Sequence, residues 1–139
     1  METHTLDRFV AAQDGVYAQA LAELRRGRKQ SHWMWYIFPQ IAGLGRSATA
    51  HYFAISSRAE ARTYLAHPLL GPRLVEATKA VTAASGSAES ILGGIDAVKL
   101  RSSMTLFARV AEGDDRKPFE TALARFFGGE HDPETVARL

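Results

Sequence analysis

The sequence predicts an all-α fold: a compact single domain over residues 1–139, built from about six to eight mostly short helices. Two observations carry this reading. Apolar residues recur at spacings of three and four along most of the chain. Only one segment, Trp33 to Phe38, is rich in aromatic and β-branched residues, and no second alternating run exists to pair with it. The 139 residues, 46% hydrophobic and 23% charged, suit one core, so disorder and a second domain are excluded. One or two very short strands, around Trp33–Phe38 or His51–Ile55, remain compatible with the pattern.

Each element follows from local chemistry. Leu6, Phe9 and Val10 give a short opening helix. Asp14 is placed to cap a second helix, whose apolar face is Tyr17, Ala20, Leu21 and Leu24 and which Gly27 closes. Ser31 is placed to cap a short helix over the aromatic segment, ended by Pro39. Ser57 and Glu60 form a capping box for a helix to about Ala66. His67-Pro68 breaks that helix, and a new one starts with Pro72 in its first turn and buries Leu74, Val75, Thr78, Val81 and Thr82. Residues 85–94 connect through one helical turn. Asp96 is placed to cap a helix carrying Leu100, Met104, Phe107 and Ala111. Pro118 to Phe127, closed by Gly128, and a tail helix from Asp132-Pro133 complete the chain.

Net charge is +2, with nine Lys/Arg against five acids in residues 1–75 and eight against ten in residues 76–139. Four cations crowd into LRRGRK as Arg25, Arg26, Arg28 and Lys29, which suits either an anion site or a helix C-terminus. One cluster without a stripe argues against nucleic-acid binding. The polar start METHTLDR and a longest apolar run of six residues predict no signal peptide and no membrane span, hence a cytoplasmic protein. The absence of cysteine excludes a disulfide framework, a thiolate metal site and a thiol nucleophile.

Chemistry is expected in two places. The five histidines are dispersed without metal-ligand spacing, and no phosphate loop, nucleophile elbow or cofactor signature occurs, so no metal and no cofactor are expected. Lys29, His32, Trp33, Trp35, Tyr36, Phe38 and Gln40 fall together and run into GLGRS, with Ser47 at its end. Two indoles in one short helix suit a pocket wall as well as a core. In KLRSSMTLF, Lys99 and Ser103 flank the buried face of a helix, where Ser102, Ser103 and Thr105 can equally bond back to helix carbonyls.

HWMWYIFPQIAGLGRS, YLAHPLLGPRL and KLRSSMTLF, in this order, resemble the signature stretches of a small single-domain family of unknown function, sometimes catalogued as calpastatin-like. The resemblance runs from about Asp7 to Phe127, with Tyr36 replacing the commoner Phe, and it implies an all-helical fold without naming a reaction. A calpastatin-type inhibitor is a flexible polar chain, unlike this apolar, periodic one. The positions the resemblance marks are Lys29, His32, Trp33, Trp35, Pro39, Gln40, Gly43, Gly45, Ser47, His67, Pro68, Gly71, Arg73, Lys99, Ser102 and Ser103. The expectation is a shared pocket for a small anionic metabolite of nucleotide or sugar-phosphate type, in which Lys29, His32, Trp33 and Gln40 meet His67, Arg73, Lys99 and Ser103. Ser47 and Ser102 would supply further ligand contacts, and His32 would be the acid or base. The rival expectation is a module whose aromatic patch anchors a protein partner.

Overall fold

The computed structural model describes residues 6–139, which form ten α-helices and one 3-10 turn. They are α1 (Asp7–Gln13), α2 (Tyr17–Arg26), α3 (Met34–Ile37), α4 (Ala48–Tyr52), α5 (Arg58–Ala66), α6 (Leu70–Ala83), α7 (Ala88–Leu92), α8 (Gly94–Val110), α9 (Lys117–Phe127) and α10 (Pro133–Ala137), with the 3-10 turn at Gly113–Arg116. The number exceeds the expected six to eight because α3, α4, α7 and α10 are single turns of four or five residues. Pieces so short are marginal alone and hold by packing.

Helix α8 is the axis of the domain. It packs on α5, α7, α9 and α10, and buries Ala97, Leu100, Met104, Leu106, Phe107 and Val110 on most of its circumference. A helix apolar on nearly all sides must lie inside. Around it, α6 packs on α2, α5 and α9. Phe9, Tyr64, Phe107 and Phe119 form a chain of rings at centroid distances of 5.1, 5.5 and 5.8 Å through this core. Where α5 gives way to α6, a side chain on Gly71 would place Cβ 2.1 Å from the Leu65 carbonyl oxygen, so only glycine admits that approach.

The helix from Tyr17, its left-handed Gly27 close at φ 75°, and the caps at Ser57 and Asp132 agree with the sequence reading. Three caps do not. Asp14 ends α1 instead of starting α2, because Gly15, at φ 74°, reverses the chain and moves the α2 start to Val16 and Tyr17. Ser31 stands outside α3, whose N-cap is Trp33; its hydroxyl is given to the Glu23 carboxylate, a stronger acceptor. Asp96 lies inside the first turn of α8, which begins at Gly94, and its carboxylate is taken by two lysines. The Ser57 box is half formed, since Glu60 accepts the amide of Ser56 rather than that of Ser57.

In place of a strand, the described residues show one isolated parallel bridge, Ile41 to Ile55, in which Ile55 donates to the Gln40 carbonyl and Ala42 to that of Ile55, both at 2.8 Å. It ties the loop after α3 to the end of α4. No described helix is long and apolar enough to cross a membrane.

Candidate functional site

The site begins with a buried acid on α2. Glu23 is 1% exposed, yet five donors reach its carboxylate: the Gln30 and Ser31 amides at 2.8 and 3.0 Å, the Ser31 hydroxyl at 2.7 Å, the Trp33 indole at 2.9 Å and the Gln19 amide group at 3.1 Å. Burial alone would raise its pKa; hydrogen bonds from the Ser31 hydroxyl, the Gln30 amide and the Trp33 indole outweigh it and hold the group at about 2. The loop between α2 and α3 therefore folds around a fixed negative charge. Trp33, fully buried with its donor satisfied, is a core residue.

This loop carries Lys29 to α8. The Lys29 amide donates to the Ile91 carbonyl at 2.7 Å, and its ammonium lies 3.0 Å from Asp96 Oδ2 and 5.2 Å from the Trp33 ring. Lys99, one turn beyond Asp96, reaches Oδ1 of the same carboxylate at 3.3 Å and stands 4.7 Å over the Trp35 ring. Two ammonium groups thus share one carboxylate, and each faces an indole. The Gln40 side chain donates to the Lys99 carbonyl at 3.5 Å. Trp35, Gln40 and Lys99, with Gly43, Gly45 and His51, line a cleft of about 20 Å³, room for one small polar group.

Of the predicted set, Lys29, Trp33, Gln40 and Lys99 come together here. Arg73 belongs to a second network: its guanidinium donates to Gln13 at 3.2 Å and stacks 4.7 Å from the Tyr17 ring. Tyr17 in turn donates to Glu76 at 2.5 Å, and Gln13 donates to the Tyr36 carbonyl and to the Tyr64 hydroxyl. Among the described residues no side-chain hydrogen bond or ion pair joins the two networks. His67 caps α6, accepting the Leu69 and Leu70 amides on Nδ1 at 3.1 and 3.2 Å. Ser47 caps α4 by accepting the Ala50 amide. Ser102 donates to Asp132 at 2.8 Å and to the Val98 carbonyl at 3.3 Å, so it anchors α10. Ser103 is fully buried, and its hydroxyl has no hydrogen-bond partner among the described residues. His32 is exposed and does not line the cleft; His51 does.

The reading from residues placed Trp33 in the ligand set with Trp35 as the alternative; two positions on a helix are turned about 200° apart, so the two indoles do not share a face, and Trp35 is the one on the cleft. It missed Glu23, which sits among polar neighbours on α2, and the pairing role of Asp96. Among the described residues no group of His, Asp or Glu is arranged to hold a metal ion.

The family of proteins of unknown function named DUF1810 matches residues 3–139. The chain belongs to this family. The match is longer than the Asp7–Phe127 stretch over which the motifs are legible. The crystal structure of a conserved hypothetical protein from Mycobacterium tuberculosis, Rv1873, superposes with a TM-score of 0.93 at 52% identity, covering 96% of this chain and 95% of that one. That protein and this chain share the helical fold described above. No curated protein matches the chain.

Proposed function

We propose that this DUF1810 protein binds a small anionic ligand at the Trp35, Gln40 and Lys99 cleft, with the anionic group on the ammonium and the rest of the molecule against Trp35. The observation that carries the reading is the two-to-one ratio of Lys29 and Lys99 to Asp96. Glu23 is already satisfied by its own donors, so one positive charge at the cleft is left for an incoming anion. Lys99, about 24% exposed, lines the cleft and is the ammonium a ligand reaches, while Lys29, about 10% exposed, lies off its wall and neutralises the other oxygen of Asp96. The cleft has room for about one small polar group, so a single oxygen of the anion enters it and a ring or sugar stays outside. Arg73, held by Gln13 and Tyr17, is outside this ligand set, and His51 is an imidazole on the cleft wall. Protease inhibition of the calpastatin kind is disfavoured by an aromatic segment locked into a core.

Tryptophan fluorescence and thermal melting against inorganic phosphate, AMP, a hexose phosphate and citrate test the proposal. Ligand at 100 times its dissociation constant adds about 2.7 kcal/mol, a shift of several degrees in a domain of this size. Lys99→Ala and Trp35→Phe are expected to lose the response, and Arg73→Ala to keep it. A response that survives Lys99→Ala and disappears in Arg73→Ala places the anion in the other network and contradicts the proposal.

A further inference from the structure

Helix α8 buries three hydroxyl side chains, Ser102, Ser103 and Thr105. A hydroxyl inside a helix ordinarily donates to the carbonyl four residues back, and two of the three do so. Ser102 reaches the Val98 carbonyl at 3.3 Å and Thr105 the Arg101 carbonyl at 2.8 Å. Thr63, Thr78 and Thr82 repeat the pattern on α5 and α6. Ser103 does not, and its hydroxyl is left unpaired. The carbonyl four residues before it belongs to Lys99, and the Gln40 amide group donates to that same oxygen. The unpaired hydroxyl and its ordinary acceptor thus lie one helical turn apart, with Gln40 on the acceptor.

Gln40 holds that place weakly. Its contact of 3.5 Å is longer than the roughly 3.2 Å within which an N–H···O bond is strong. It is also the only hydrogen bond of the Gln40 side chain among the described residues. The backbone at Gln40 is fixed instead, since its carbonyl accepts the Ile55 amide at 2.8 Å. Gln40 and Lys99 line the cleft, and Ser103 stands one turn beyond Lys99 on the same face of α8. An unpaired buried hydroxyl costs stability, whereas alanine in its place does not.

We propose, on the anion reading of the cleft, that Ser103 is a positioning residue for Gln40. When an anion draws the Gln40 amide group to itself, the Ser103 hydroxyl takes over the Lys99 carbonyl. One donor replaces another on that oxygen while Gln40 gains a charged acceptor, so the exchange leaves no buried group newly unpaired. Without the hydroxyl, Gln40 leaves its acceptor behind with nothing to replace it.

The wild type, Ser103→Ala, Gln40→Met and the double variant test it, Met keeping the length of the side chain without its donor. In melting without ligand, Ser103→Ala is expected to gain a few degrees over the wild type and to lose that gain in the Gln40→Met background, where the hydroxyl already holds the Lys99 carbonyl. Equal shifts in the two backgrounds overturn the exchange. In inorganic phosphate titrations read by tryptophan fluorescence, Ser103→Ala is expected to bind several-fold more weakly than the wild type although it melts higher, a combination that a serine serving only the packing does not produce. Ser103→Ala that binds phosphate as tightly as the wild type, while Lys99→Ala loses it, overturns the role of Ser103 and leaves the cleft reading standing. Phosphate binding absent from the wild type, or retained in Lys99→Ala, overturns both.

Discussion

Replacing Glu23 by Gln keeps the shape of the side chain and removes the charge that five donors converge on. A neutral amide must also present a donor of its own towards some of them. With the folded-state group held at about 2 against an ordinary 4.5, the ionised carboxylate contributes about 3 kcal/mol to folding at neutral pH. Its pKa is depressed by folding, so this stability is complete above about 4.5 and is lost as pH falls towards 2. Urea unfolding at pH 7, 4 and 2.5 is expected to show that loss in the wild type. Glu23→Gln is expected to be about 3 kcal/mol less stable at pH 7 and to show a shallower acid dependence. Equal acid slopes in the two proteins would remove Glu23 from its central place in the loop.

At the scale of single helices, what the sequence made legible depended on whether a helix had a buried face. Tyr17, Ala20, Leu21 and Leu24 recur at helical spacing and pack inward or beside the core, so α2 and its Gly27 close can be read directly. Helix α4 buries no residue; it rests on the Ser47 cap and on the bridge that follows it, neither of which leaves a periodic signal. Asp14 and Asp96 look like caps because their side chains suit that role, yet a glycine turn in one case and two competing lysines in the other decide against it. His67 is the opposite case, a residue marked as a ligand contact whose Nδ1 caps α6. His67→Ala is expected to lower stability by about 1 kcal/mol, with His67→Asn recovering much of it through a replacement acceptor. Asp132 gives the matching prediction at the other end of the chain. Burial opposes its ionisation, but Thr135, Ser102 and the Glu134 amide bind the carboxylate and lower its pKa. In Asp132→Ala, amide hydrogen exchange over residues 133–137 is expected to accelerate while α8 stays protected.

Over the whole molecule, the packing of α8 on four other helices leaves no described element group with a separate core. Unfolding is therefore expected to be one transition, with the buried Trp33 and far-ultraviolet circular dichroism giving coincident midpoints. The candidate site was partly legible at this scale. Lys29 and Gln40 flank one aromatic segment, and Lys99, far from them in sequence, stands beside the buried face of α8, which is what marked them. What could not be read was the division of the marked residues into two networks, because Gln13, Asp96 and Glu23, the groups that sort them, look like ordinary surface polar residues in a one-dimensional pattern.

Asp96 and an incoming anion compete for the same lysines, and that competition can be measured. Inorganic phosphate is titrated into the wild type, Asp96→Asn and Lys99→Ala, with Trp35 fluorescence as the readout and thermal melting run on each. Removing the shared carboxylate is expected to strengthen phosphate binding at least several-fold at low ionic strength while lowering the unliganded melting temperature, and Lys99→Ala is expected to abolish binding. Phosphate affinity that is unchanged or weakened in Asp96→Asn, in a protein that still folds, would contradict an anion site built on Lys29 and Lys99.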